Sequence, residues 1–121
     1  MLKAVLYVQI RPDRFIVRNT ADGRSVERTS ASAFSHPRSL IGNFTIAQAL
    51  LKTMVSEVIK GTFAFKTDIL VHPLERVDGG LTQIEERALY ELAKGSGASR
   101  AKVWVGSALS DAEVIAKMKK A

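Results

Sequence analysis

Ala4-Val5-Leu6-Tyr7-Val8-Gln9-Ile10-Arg11-Pro12 opens the chain as a strand and sets the order of everything after it. Residues 3–10 are rich in β-branched and aromatic side chains, the composition of a half-buried or buried strand. Pro12-Asp13 then reads as a turn, because proline presets its own φ and aspartate accepts hydrogen bonds from nearby backbone. Phe15, Ile16 and Val17 predict a second strand. Ala21-Asp22-Gly23 predicts the next turn, and Ser25 to Ser30 a short, weakly apolar third strand. Connections this short force antiparallel neighbours, so the first three strands are expected to form a meander.

Helical spacing takes over after a polar loop over residues 31–43. Ile46, Leu50, Met54, Val55, Val58 and Ile59 recur at intervals of three and four, which places them on one helix face. Thr45 is the expected N-cap and Gly61 the expected stop. Asp68-Ile69-Leu70-Val71-His72 predicts a buried strand halted by Pro73. Thr82-Gln83-Ile84-Glu85 is a capping box, in which each end's side chain satisfies the other's backbone amide. Its helix is expected to turn Ile84, Ala88, Leu89 and Leu92 inward and to stop at Gly95 or Gly97. Residues 101–105 predict a fifth strand ending at Gly106. A second capping box, Ser110-Asp111-Ala112-Glu113, starts a helix carrying Val114, Ile115 and Met118 to a lysine tail that suits a helix C-terminus. Phe63-Ala64-Phe65-Lys66 is expected to pack the connection between the first helix and the fourth strand.

The 121 residues, 46% of them apolar, fit one domain spanning 1–121 with a single core. No apolar run approaches the ~20 residues that span a bilayer, so no transmembrane segment is expected. Gln9 and Arg11 interrupt the opening apolar stretch too early for a secretory signal, and a cytoplasmic location is expected. Met1 at the start and a charged helix at the end are read as those of a whole small protein. The absence of cysteine removes disulfides, thiolate catalysis and cysteine-ligated metals. The formal charge of +6 is uneven: residues 1–40 hold seven Lys/Arg against three Asp/Glu. A surface of that sign can meet nucleic acid, anionic lipid or an acidic protein.

Three meander strands followed by strands joined through helices imply parallel pairing by right-handed crossovers. The expected fold class is α/β, ribonuclease-H-like, in the order βββαβαβα, with a mixed five-stranded sheet covered by helices. That plan serves two-metal nucleases, which need converging carboxylates on paired Mg²⁺, one of them from the middle of the first strand. This chain has Gln9 there, and a neutral carboxamide is a poor Mg²⁺ ligand. Asp68 at the start of the fourth strand and Glu85 at the start of a helix are the acids that remain.

The same plan, duplicated, builds actin-like ATPases, and here the resemblance narrows. Ile69-Leu70-Val71-His72-Pro73, Leu81-Thr82-Gln83-Ile84-Glu85-Glu86-Arg87-Ala88 and the run from Gly95 through Val105 resemble the bacterial rod-shape protein MreB. In that family a strand ending in proline precedes a Thr-x-Val-Glu-Arg-Arg-Ala helix, a Gly-Ala-Gly-Ala turn and another strand. The resemblance covers residues 68–106, extends loosely over 43–60 and is topological over the first forty. It implies subdomain IA, a single ribonuclease-H-like lobe, and implies that Glu85 helps position an attacking water; the capping box accounts for the same glutamate by local hydrogen bonding. Two departures stand against ATP chemistry. The family's first strand carries Asp-x-Gly-Thr, where this chain has Gln9-Ile10-Arg11-Pro12, and proline offers no amide to a phosphate. After the fifth strand the family has Glu-Glu-Pro, where this chain has Gly106-Ser107-Ala108-Leu109. Asp68 and Glu85 are therefore read as vestigial.

Other constellations are bland. Gly95-Ser96-Gly97 does not follow a strand, as a dinucleotide loop must. Ser107 and Ser110 lack a nucleophile-elbow pattern. His36 and His72 have no ligand spacing, and His72 is read as half-buried at a strand end. Tyr7, Phe15, Phe63, Phe65, Tyr90 and Trp104 are scattered, unlike the stacking platform of a single-strand binder. The expectation is a non-enzymatic binding or assembly protein, associated with cell shape or filaments, with no cofactor, no metal and no catalytic residue. Its partner is expected to be a protein or a second copy, because a lone lobe leaves its inter-lobe face uncovered. The alternative is a basic nucleic-acid-binding module, with Arg11, Arg14, Arg18 and Arg24 as phosphate contacts.

Overall fold

The structure, a computed structural model, describes residues 3–37, 39–61 and 66–120. The elements run β1 (Lys3–Arg11), β2 (Arg14–Asn19), β3 (Ser25–Thr29), α1 (Phe44–Ile59), β4 (Lys66–Pro73), α2 (Gln83–Gly95), β5 (Arg100–Val103) and α3 (Asp111–Lys119). One sheet has the order β3-β2-β1-β4-β5. The β1–β2 and β2–β3 pairs are antiparallel and the β1–β4 and β4–β5 pairs parallel. This is the mixed five-stranded, ribonuclease-H-like arrangement expected from the order of elements. No helix among the described residues is long and apolar enough to cross a membrane.

Alternation along the strands divides the core. Leu6, Val8 and Ile10 of β1, Phe15 and Val17 of β2, and Ile69 and Val71 of β4 point to one face, where they meet α1 and α2. Tyr7 and Leu70 point to the other and meet Val114 and Met118 of α3. The first face holds the larger core. Its α1 stripe is Ala47, Leu51, Met54, Val55 and Val58, while Ile46, Leu50 and Ile59 flank it half-buried.

Several boundaries differ from expectation, each for a local reason. Asn43, not Thr45, caps α1, its side chain accepting from the Ile46 amide at 3.2 Å; asparagine is as good a cap as any residue and lies two residues earlier. Gly61 takes a φ of 81° just past the helix, in the expected stopping role. β4 begins at Lys66 and β5 ends at Val103, although the Trp104 amide still donates to Val71 O at 2.8 Å. Both capping boxes form as expected, on Thr82 with Glu85 and on Ser110 with Glu113. Ile84 is 82% exposed rather than inward. At 100° per residue it lies roughly 140° around α2 from Leu89, the centre of the buried face. The loop over 31–43 is not merely polar: Phe34 and Leu40 are buried, and the Phe34 ring stacks on Phe15 at 4.9 Å. The expected packing role of Phe63 and Phe65 lies outside the described residues.

Candidate functional site

Parallel strands β1 and β4 end side by side, with Gln9 in register with His72 and Tyr7 with Leu70. Chemistry on a parallel α/β sheet gathers at this carboxyl end of the strands. Here the α3 face of that end is filled by a hydrogen-bonded cluster. The Tyr7 hydroxyl lies 2.6 Å from His72 Nδ1, and His72 Nε2 lies 2.9 Å from Gly106 O. A carbonyl only accepts, so Nε2 carries the proton and Nδ1 accepts from the tyrosine. Tyr7 Oη in turn accepts from the Leu109 amide at 3.2 Å and from Gln9 Nε2 at 3.3 Å. The phenol thus uses one donor and two acceptor positions, its full capacity. The two rings are near-parallel, 17° apart, with centroids at 5.8 Å.

His72 is fully buried, not half-buried as its strand-end position implies. Burial pushes its pKa below the ordinary 6.5, opposed by the bond to Gly106 O. The imidazole is therefore neutral at pH 7, which keeps the tautomer that the cluster requires. Gly106 is required by its backbone: its φ is 153°, and a side chain would meet the Trp104 indole at 2.6 Å. The cluster fastens the segment from Gly106 to Leu109 over the ends of β1 and β4, where an open reaction centre would need access.

The acids named from sequence do not join it. Asp68 shares the α3 face but pairs with Val5, four residues before His72 and about 13 Å down the strand. Its buried Oδ2 lies 3.1 Å from Lys3 Nζ and 3.9 Å from Arg100 Nη1, ionic contacts without hydrogen-bond geometry. Glu85 belongs to α2, which packs on the opposite face from the Gln9 side chain. Its Oε1 accepts from the Thr82 amide at 2.9 Å, and the residue lines a cavity of only about 20 Å³ with Leu40, Pro73 and Leu89.

The four arginines are each engaged with a carboxylate. Arg11 and Arg14 face each other across the β1–β2 turn; Arg11 pairs with Glu75 at 3.2 Å and Arg14 with Glu27 at 2.7 Å. Arg18 grips Asp111 with two bonds, at 2.9 and 3.1 Å. Arg24 sits at the far end of β2, pairing with Asp22 at 3.0 Å and donating to Lys60 O at 3.1 Å. The first three share a surface and the fourth does not.

One polar residue of consequence has no motif to announce it. Asp13, in the left-handed region at φ 58°, accepts from the Phe34 and Ser35 amides at 2.8 and 2.7 Å, and its own amide donates to Ser35 Oγ at 2.8 Å. The Ser35 amide, with the Phe34 amide assisting, holds its carboxyl below the usual 3.8. Asp13 thereby pins the loop that delivers Phe34 to the core. The β1–β2 turn signal locates Asp13 in the sequence but not its partners twenty residues away.

No protein-family model matches the chain. Among solved structures it is similar to the Aquifex aeolicus PPX-GPPA enzyme, at 13% identity and a TM-score of 0.46, over 87% of this chain and 36% of that one. The chain thus spans about a third of that enzyme's length. A curated relative is the "Uncharacterized protein YjaA" of Escherichia coli (strain K12), 35% identical over 126 residues, a match covering 96% of this chain and 98% of the relative. At that identity and coverage, the chain belongs to the YjaA family.

Proposed function

We propose that this protein works by binding a partner protein, on a ribonuclease-H-like lobe of actin-like type whose usual reaction centre has become a closed latch. The observation that carries this reading is the Tyr7–His72–Leu109 cluster at the ends of β1 and β4. A two-metal centre needs converging negative charge there. The residues at that position are a carboxamide, a phenol and a neutral imidazole, and the phenol and imidazole are already engaged by each other, by Gln9 and by backbone. The resemblance of residues 68–106 to MreB supports an assembly role of the actin-like kind, in filament or cell-shape complexes, over catalysis.

The test is calorimetric titration of the full chain with Mg²⁺–ATP and with Mn²⁺ alone, alongside phosphate-release and nuclease assays. The expected result is no saturable heat and no turnover. Saturable nucleotide or Mn²⁺ binding that is lost in Gln9→Ala would overturn the reading. A gel-shift series with DNA and RNA at low salt covers the alternative, since arginine-driven binding would appear there and weaken steeply with added salt.

A further inference from the structure

Among the described residues β5 is an edge strand, paired only with β4. The Trp104 amide bonds to Val71 O, so by alternation the amides and carbonyls of Ala101 and Val103 point away from β4, along the open edge. Beside that edge runs an open groove of about 830 Å³, walled by α2 residues including Ile84, Arg87 and Tyr90 and floored by Ala101 and Val103. The three large hydrophobic side chains exposed among the described residues are Ile84, Tyr90 and Val105. Two of them line this groove and the third lies two residues past the end of β5. Natural edge strands are generally short, charged or covered; this one is short and carries cations on one face, yet apolar surface lies open on the other.

The two faces of the edge differ in kind. On the α2 side the surface is apolar with mixed charge, Glu86 and Glu91 flanking Arg87. On the α3 side it is cationic. Lys102 Nζ donates to Lys117 O and Lys120 O, and Arg100 Nη2 to Lys120 O, which draws both cations against the helix end that also carries Lys119. Lys117 Nζ lies 3.8 Å over the Trp104 ring. The acids among these groups are Asp68, buried and shared with Lys3, and Glu113, four residues before Lys117 on α3 and attracted by its charge.

We infer that β5 accepts an extended segment of a partner protein as a sixth strand, one that alternates acidic with apolar residues. Main-chain bonds to Ala101 and Val103 supply the pairing, and alternate side chains supply the selection. Apolar residues enter the groove against Tyr90 and Ile84, and acidic residues meet Arg100, Lys102 and the α3 lysines. A second copy is disfavoured as occupant. Pairing β5 with itself would set Arg100 and Lys102 against the same cations of the other chain, and like charges across a strand pair are destabilising. The inference rests on the binding reading above and names its surface.

The probe is a short fluorescein-labelled peptide of alternating glutamate and valine, compared with its lysine–valine counterpart and with a composition-matched peptide in blocked order. Anisotropy titration of the full chain is expected to give at least tenfold tighter binding of the alternating acidic peptide than of either control. Amide exchange by NMR is expected to slow at Ala101 and Val103 on binding. Ile84→Glu and Tyr90→Ala, both on an exposed helix surface, are expected to weaken binding at least fivefold with an unchanged NMR fold signature. Equal affinity for the three peptides, unchanged exchange at Ala101 and Val103, or slow exchange there in concentrated protein without peptide would each overturn the inference. Those outcomes leave the reading of the latch standing, because it falls on nucleotide or metal binding instead.

Discussion

Tyr7 and His72 lie 65 residues apart in sequence and are joined by a 2.6 Å hydrogen bond within a shell that excludes solvent. The pair ties β1 to β4 and, through the Leu109 amide and Gly106 O, ties both to the segment leading into α3. Two groups depend on the phenol oxygen, the buried His72 Nδ1 and the half-buried Leu109 amide. Tyr7→Phe strips both of their partner and keeps the ring in place. The expected loss is about 1–3 kcal/mol, the cost of leaving buried polar groups unsatisfied. Urea denaturation, with the m-value unchanged, checks it.

The same histidine predicts a pH dependence. Its folded pKa lies below the ordinary 6.5 because burial disfavours the imidazolium. Below pH 6.5 the unfolded chain therefore binds protons that the folded chain refuses. Stability is full above that value and falls as pH drops toward the folded pKa. Denaturation midpoints measured from pH 8 to pH 5 are expected to decline in the lower half of that range, and His72→Gln is expected to flatten this part of the curve.

Asp13 makes a parallel prediction in acid. Its carboxyl titrates below the usual 3.8, chiefly through the Ser35 amide. Its contribution is therefore present above the unfolded value and is lost as pH falls through the lower, folded one. Asp13→Ala removes the acceptor of the Phe34 and Ser35 amides and is expected to cost about 1–3 kcal/mol. Amide exchange should quicken first over the loop around Phe34, before global unfolding. Asp13→Asn keeps an acceptor oxygen and tolerates the positive φ, so its loss should be smaller and its acid limb flatter.

Position on α2 separates two residues that look alike in sequence. Ile84→Ala is expected to change stability by no more than about 0.5 kcal/mol, since the side chain is 82% exposed. Leu92→Ala, fully buried in the main core, is expected to cost about 2–5 kcal/mol by lost transfer energy and cavity formation. Chemical denaturation of the two variants distinguishes them directly.

Arg18 and Asp111 bridge β2 to the start of α3 with two bonds, but the arginine is exposed and the aspartate half-exposed. Solvent and salt screen such a pair. A double-mutant cycle of Arg18→Ala and Asp111→Ala is expected to yield only a weak coupling, decreasing as salt is added.

Local rules carried most of the architecture into legibility. Turn chemistry at Pro12-Asp13 and Ala21-Asp22-Gly23, apolar periodicity in α1, and the two capping boxes depend on neighbours within a few residues. From them follow the element order and, through crossover handedness, a mixed five-stranded sheet; that β1 lies beside β4 came from the structure. The carboxamide at Gln9 was equally plain, as was the mismatch it makes with metal-dependent chemistry. Other features were settled by distance in space. His72 is buried because Gly106 and Leu109 return over it, Phe34 enters the core because Asp13 binds its amide, and Ile84 faces solvent because α2 turns Leu89 and Leu92 to the sheet. Asp68, Glu85 and the four arginines likewise took their partners from other elements or from the turn each sits in. Sequence thus determined the order of strands and helices and what the first strand lacks. Tertiary structure alone decided which side chains share an enclosure, because hydrogen bonds and burial across long chain separations exist only after the sheet has brought distant segments together.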